Sequence, residues 1–282
     1  MSPVLYIVLP VHDRRESTER FIRCLKAQSY TNYRLILVDD GSTDGTAEMV
    51  RRHLPSTLCI RGNGNWWWAG SLQQGFDATD KEPGSDDALL LVMNDDTEFG
   101  PEFLETGVAV LASHERSLLM ATAYDRKARR LADVGFRVDW RRLRYLPNLG
   151  GGENHFLATR GLFLRVRDRR EIGNLYPRWL PHYLSDWEFS YRAYRKGFRL
   201  LTHPAVGLLV NEETTGHTRA TIDTGESLGV FLRKLFSKKS KLNPIYSTVF
   251  VLLACPGRWK LQNVGRIWLR SLRLVLQRQS SR

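Results

Sequence analysis

Cysteine is scarce in this chain of 282 residues: Cys24, Cys59 and Cys255 are odd in number and far apart. They give neither a zinc spacing nor a disulfide framework, so a reducing cytoplasm is the simplest compartment. The N-terminus lacks the basic, apolar and small-residue regions of a signal peptide and enters an apolar segment almost at once. The apolar stretch Ile245 to Cys255 is only about half the roughly 20 residues a membrane-spanning helix needs, and Pro256 stops it. Attachment to a surface is therefore expected rather than a crossing. There is no low-complexity tract and no internal repeat, and 42% of residues are hydrophobic, enough for a buried core.

Acid is missing from one end. Beyond Glu226 there is no Asp or Glu, while 12 of the 42 basic residues lie there. The net charge of +12 thus belongs wholly to the tail, and the remainder is charge-neutral. So sharp a shift marks a boundary of role. We read residues 1–225 as a catalytic domain and 226–282 as a basic, helical C-terminal tail. In Val264 to Arg278, Arg266, Arg270 and Arg273 share one helical face, while Val264, Trp268, Leu272 and Val275 share another. That pattern suits an anionic membrane surface; the alternative is a helical subdomain packed on the core.

What is present first is a pair of acidic strand ends. Leu35 to Val38 is an apolar run that stops at Asp39-Asp40-Gly41-Ser42-Thr43-Asp44, and Ala88 to Met93 stops at Asn94-Asp95-Asp96-Thr97. Ligands of open α/β sheets bind outside the carboxyl ends of strands. Strand-like runs Tyr6–Val11, Arg34–Val38, Thr57–Ile60 and Ala88–Met93 alternate with helix-like segments, for which Ser17 or Thr18, Thr43 or Asp44, and Ser71 are candidate caps. The βαβα order predicts a parallel sheet with helices on both faces. Further on, the pattern predicts a helix over Phe103–Ser113, a strand at Leu118–Thr122 and a hairpin within Ala132–Tyr145. A strand at Phe163–Val166, a helix over Asp186–Lys196, and strands at Phe198–Thr202 and Ala205–Val210 complete the reading.

The acids suggest the chemistry. Asp96 with Asn94 or Asp95 fits Mg²⁺ or Mn²⁺, hard cations that take one or two carboxylates plus substrate phosphates. Such residues also occur as plain turns and caps, but two clusters on one sheet favour a ligand site.

At this point the residues resemble a known family. Val38-Asp39-Asp40-Gly41-Ser42-Thr43-Asp44 with Asn94-Asp95-Asp96 resembles the nucleotide-sugar fold of family 2 glycosyltransferases, the GT-A type. Ile7 to Val11 is similar to that family's opening strand, and Gly64-Asn65-Trp66-Trp67-Trp68-Ala69-Gly70 to its glycine-containing loop before the metal motif. Thr159-Arg160-Gly161, Glu171-Ile172-Gly173, Ser185-Asp186-Trp187-Glu188, and Arg192 through Lys196-Gly197 are similar to its acceptor side. The resemblance implies a Rossmann-like, mostly parallel sheet flanked by helices, and transfer of a sugar from a nucleoside diphosphate to an acceptor hydroxyl. It places Pro10, His12, Asp39, Asp40 and Asp95 with the donor nucleotide, Asp96 with the divalent cation, and Asp186 as catalytic base. Trp67, Trp68, Gly70, Arg160, Trp187 and Glu188 fall to the sugar and acceptor pocket, and His217 is a further candidate metal ligand. Two departures stand out: Asn94 replaces an Asp of the metal motif, and Ser185 replaces the Glu before the base. For the tryptophans, core packing remains open beside an aromatic wall. Asp186 can equally cap a helix.

One carboxylate near the sugar suffices for a single, inverting displacement, because it need only take the proton of the attacking hydroxyl. The resemblance implies a hexosyltransferase of surface polysaccharide assembly, with a UDP- or dTDP-sugar such as a rhamnose or galactose donor, and a glycan or lipid-linked acceptor. Two other classes compete. A sugar nucleotidyltransferase would need a basic glycine-rich triphosphate loop near the first strand, which is not found. A nucleic-acid-binding protein would use the basic tail, yet no helix-turn-helix, zinc finger or aromatic RNA motif accompanies it, and no nucleic-acid partner is expected.

Overall fold

The computed structural model describes residues 2–128, 130–210 and 227–279. The N-terminal half runs β1 (Leu5–Val11), α1 (Arg15–Lys26), β2 (Tyr33–Asp39), α2 (Thr46–His53), β3 (Leu58–Arg61), α3 (Trp67–Lys81), β4 (Leu89–Val92), β5 (Thr97–Glu98) and α4 (Phe103–Ala112). There follow β6 (Ser117–Asp125), β7 (Leu131–Asp133), β8 (Phe136–Asp139), β9 (Arg144–Pro147), β10 (Leu162–Arg165), α5 (Val166–Ile172), α6 (Ser185–Arg195) and β11 (Arg199–Val210). The tail forms α7 (Leu228–Leu235), α8 (Pro244–Ala254) and α9 (Gly257–Gln279).

Among the described residues one sheet dominates, in the order β3-β2-β1-β4-β10-β6-β11-β5, with β7 paired to β6. The first four strands are parallel, as the βαβα pattern predicts. β10 then lies antiparallel between β4 and β6, and β11 runs parallel to β6. A separate hairpin, β8–β9, occupies the predicted segment.

β1 shows why the sheet is central. Every residue in it is buried, and alternate side chains enter opposite layers. Leu5, Ile7, Leu9 and Val11 join Phe21, Ile22 and Leu25 of α1 and Val50 of α2 on one face. Tyr6 and Val8 join Leu72 and Phe76 of α3 and Phe189 of α6 on the other.

A third cluster joins the tail to this body. Phe250, Val251 and Ala254 of α8 pack with Trp140, Phe156 and Tyr191. Asn263 of α9 is fully buried and donates its Nδ2 hydrogen to the Trp140 carbonyl at 2.8 Å. Among the described residues no helix is long and apolar enough to cross a membrane.

Three expected boundaries move for tertiary reasons. α1 starts at Arg15, ahead of the predicted caps, because Ser17 and Thr18 both give their hydroxyls to Asp95, at 3.1 Å each. α3 starts at Trp67 rather than after Ser71, because Asp40 accepts the amides of Trp66 and Trp67 at 2.9 and 3.1 Å. The two late strands are one, β11, with an irregularity between His203 and Gly207 around Pro204.

Candidate functional site

Beyond the end of β4, and beside Arg14 of the turn after β1, lies a cleft of about 970 Å³, which Pro10, His12, Asp39 and Asp40 do not line. Asn94, Asp96, Arg14 and Trp68 line one end, and Asp186, Arg160 and Trp187 line the middle. The far end is walled by the β8–β9 hairpin and by α8 and α9, through Tyr145, Phe250 and Ile267.

Asp186 sits in the first turn of α6, where the helix amides favour negative charge. Burial nevertheless wins and pushes its pKa up to about 6, against the amide of Trp187, which donates to Oδ1 at 2.9 Å; nearby Asp133 adds to the rise. A carboxylate poised there can accept a proton near neutral pH. Leu184, the residue before α6, has φ +69°, and Trp67 at the start of α3 has φ +57°. Such conformations cost bulky L-residues roughly 1 kcal/mol or more, and they tend to cluster where a site is over-determined by its surroundings. Here they stand at the two helix starts that border the cleft.

Asn94 Oδ1 and Asp96 Oδ1 are buried and without a hydrogen-bond partner. Two orphaned oxygens facing one cleft fit a hard cation that completes its shell from a diphosphate and water. Arg14 Nη2 lies 3.6 Å from Asp96 Oδ2, so one carboxylate oxygen is free for that purpose. No group of three His, Cys, Asp or Glu gathers for a metal among the described residues. The candidate set is therefore one carboxylate and one amide.

The remaining candidates divide. Asp40 is buried, and its two oxygens accept three backbone amides, from Gly64, Trp66 and Trp67. Glycine at 62 permits this approach, since a Cβ there would come within 2.5 Å of Asp40 Oδ1. Gly41, at φ +79°, likewise lets Gly64 close against the strand end, where a Cβ would meet its nitrogen at 2.8 Å. Asp39 accepts the Ser42 amide at 2.8 Å, and His12 Nδ1 lies 2.7 Å from the Asp40 carbonyl. Pro10 is held in β1 opposite Val38. These four residues converge around one strand-end loop.

Asp95 turns away from the cleft. It pairs with Arg14 Nε at 2.8 Å and borders a separate small cavity with Ser17 and Arg20. Its carboxyl pKa is raised because burial outweighs Arg14. Glu188 is also turned away and holds Arg192 through both oxygens, at 3.0 and 2.9 Å. Trp67 and Gly70 do not line the cleft itself; Trp67 packs edge-on to His182, with ring centroids 5.9 Å apart. Trp66 and Trp68 pack against the core, and Trp68 also donates to Thr159 Oγ1 at 3.2 Å, so wall and core packing coexist. Trp187 stacks on Phe156 at 5.0 Å. His217 lies outside the described residues.

Sequence reasoning missed Arg14, Tyr145, Lys239 and Lys241 as residues of the cleft. Only the absence of acids beyond Glu226 hinted at the lysines.

Comparison with known proteins agrees with this geometry. The family model described as glycosyl transferase family 2 matches residues 6–169. The search of curated proteins returns no match. Among solved structures, S. aureus TarS aligns with TM-score 0.60 at 15% identity, covering 90% of this chain and 50% of TarS, so the chain spans half of that protein's length. S. aureus TarS 1–349 in complex with UDP-GlcNAc aligns at 0.59 and 14%, covering 94% of this chain and 71% of that one. The Pyrobaculum calidifontis mannosyltransferase PcManGT in complex with GDP-Man and Mn²⁺ gives 0.58 and 15%, covering 96% and 76%. At such identities the likeness shows the fold, and the family match reaches over more than half of the chain: it belongs to glycosyl transferase family 2.

Proposed function

We propose that the chain transfers a hexose from a nucleoside diphosphate to an acceptor hydroxyl by a single inverting displacement, with Asp186 as base. One observation carries this reading: a half-buried carboxylate with its pKa pushed up to about 6 shares a cleft with the unpartnered oxygens of Asn94 and Asp96. An acceptor hydroxyl held at Asp186 would surrender its proton as the new bond forms. Asp96 and Asn94 would hold Mg²⁺ or Mn²⁺, which when bound offsets charge on the leaving diphosphate. The loop gathered by Asp40, with Asp39, Pro10 and His12 beside it, would receive the nucleoside. A UDP- or dTDP-sugar is our first choice of donor. The complexes of TarS with UDP-GlcNAc and of PcManGT with GDP-Man and Mn²⁺ support a nucleotide-sugar donor in general.

For the acceptor we favour a lipid-linked or surface glycan. α9 supports that choice: Leu261, Trp268, Leu269, Leu272 and Leu276 are exposed along one face, flanked by exposed Arg258, Arg270 and Arg273. Its opposite face is buried through Asn263 and Ser271. Apolar residues beside arginines, in a tail without acids, match an anionic membrane interface in chemistry and charge. A cytoplasmic enzyme held peripherally on that surface follows.

The test is a screen of nucleotide sugars with and without Mn²⁺, read by thermal shift and by donor hydrolysis. One donor is expected to stabilise the protein in a metal-dependent way. No stabilisation and no turnover with any donor would overturn the reading.

A further inference from the structure

Charge in the cleft is unevenly distributed. Seven basic side chains and three carboxylates line it. At the Asp96 end, Arg14 already sits on Asp95 and Asp96. A diphosphate arriving there with its divalent cation meets a region in near balance.

Beyond Asp186 the balance fails. Arg160, in the turn before β10, has its Nε buried and without a hydrogen-bond partner. Lys239 and Lys241 belong to the turn between α7 and α8, which folds back over the start of α3 and the 182–184 loop. Lys239 Nζ lies 5.9 Å from the Trp67 ring and Lys241 Nζ 5.5 Å from the Tyr183 ring. Cation–π contacts of this kind hold an ammonium loosely and leave its N–H donors free. Among the described residues no carboxylate forms an ion pair with Arg160, Lys239 or Lys241. His182 beside them stays neutral, its pKa lowered to about 4 by burial and then by the two lysines. Burial and the Arg160 charge likewise lower the Lys241 pKa, with Asp186 opposing. Three cations gathered opposite the single carboxyl of Asp186 are costly, and an incoming anion relieves that cost.

We propose that Arg160, Lys239 and Lys241 form a second anion subsite, separate from that of the donor diphosphate, which binds a phosphate or diphosphate ester carried by the acceptor. The word acceptor rests on the glycosyltransferase reading; the subsite itself does not. Arg160 lies inside the family-matched stretch 6–169, whereas both lysines lie past it and are brought to the cleft by the tail. The next wall of the cleft is apolar, formed by Leu242, Phe250, Ile267 and Leu274. An ester whose alcohol is a long hydrocarbon would find its phosphate at the lysines and its first carbons on that wall. The acceptor hydroxyl would then lie toward Asp186.

The experiment titrates inorganic pyrophosphate into the full chain in metal-free buffer, followed by calorimetry. The wild type is expected to bind, more weakly as salt rises. Lys239→Gln/Lys241→Gln is expected to bind at least tenfold more weakly, and Arg14→Gln within about twofold of wild type. Both lysines are exposed, so the double variant should keep its melting temperature. Failure of the wild type to bind, wild-type affinity in the lysine variant, or loss of binding in Arg14→Gln would each overturn the subsite. Farnesyl diphosphate, used below its micellar concentration, then separates the sources. Binding at least tenfold tighter than pyrophosphate supports a lipid ester, and equal affinity supports a water-soluble phosphorylated glycan; in both cases the subsite stands if the lysine variant weakens it. No sugar donor enters the measurement, so a failed donor screen and a failed anion site are told apart.

Discussion

Around the strand ends of the sheet, charged groups have partners before any substrate arrives: Asp40, behind the cleft, holds three amides, and Arg14, on its edge, holds Asp95. Farther along the cleft, Lys239 and Lys241 have aromatic rings beside them, and neither they nor Arg160 has a carboxylate in ion-pair range among the described residues. The first region is built from the strand ends of the sheet, and the second is completed by the tail. The contrast teaches where specificity for each substrate resides. A pre-satisfied region is rigid and can serve any nucleotide sugar of the right shape, whereas an unbalanced region selects a ligand by its charge.

The strongest challenge to this contrast falls between the two ends. Asp186→Asn is expected to lower kcat by 10²- to 10⁴-fold, the usual range for a lost general base, with nucleoside diphosphate affinity kept within about twofold. Steady-state kinetics and calorimetry check both halves, and normal turnover would remove Asp186 from the mechanism.

Next in size is Asp40→Ala. Leaving three amides without their charged acceptor should cost about 3 kcal/mol of stability, read as a lower urea midpoint. A small change would mean that the donor end is not held as described.

The same Asp186→Asn variant has a comparable but pH-dependent effect on folding. A folded pKa near 6, above the ordinary 3.8, means that burying the ionised form is unfavourable. Stability from this group is present below about pH 4 and lost as pH rises through 6. The variant should therefore exceed wild type at pH 8 by up to about 3 kcal/mol and match it near pH 4, in urea titrations at each pH. In the wild type, kcat/KM should fall tenfold per unit below pH 6 and level off above it, because only the carboxylate accepts a proton.

The smallest expected effect concerns the outer face of the tail. Leu269→Glu/Leu272→Glu should weaken binding to vesicles containing anionic lipid by about tenfold, while activity on a soluble acceptor stays unchanged. Sedimentation with vesicles of neutral and anionic composition checks it. Unchanged binding would confine the tail's role to the cleft.

Much of this was legible along the chain because the signals are local. β1, β2 and β4 are short apolar runs bounded by polar residues, and period and length suffice to find them. The acids after β2 and β4 are visible because two such clusters at strand ends of one sheet favour a ligand site over plain turns. α6 announced itself through Trp187, Phe189, Tyr191 and Tyr194. The start of α3 was missed by five residues, since its amides are capped by Asp40, 26 residues upstream of Trp66. β10 was found as a strand, but its antiparallel place between β4 and β6 depends on pairing across most of the domain. Asp95 and Asp96 are adjacent in sequence and both border the small cavity, but only Asp96 also reaches the large cleft, a divergence that their shared residue type conceals.

Periodicity was enough for the α/β class and the ordered motifs, by resemblance, for the family, while the acidic strand ends supplied the candidate site residues. The folded arrangement alone decided which carboxylate is buried enough to act near neutral pH, which acids are engaged by arginine, and that tail lysines overhang the cleft. The physical reason is range. Side-chain pattern reports the faces of one element, whereas burial, ion pairing and charge imbalance arise only when segments distant in the chain share one volume.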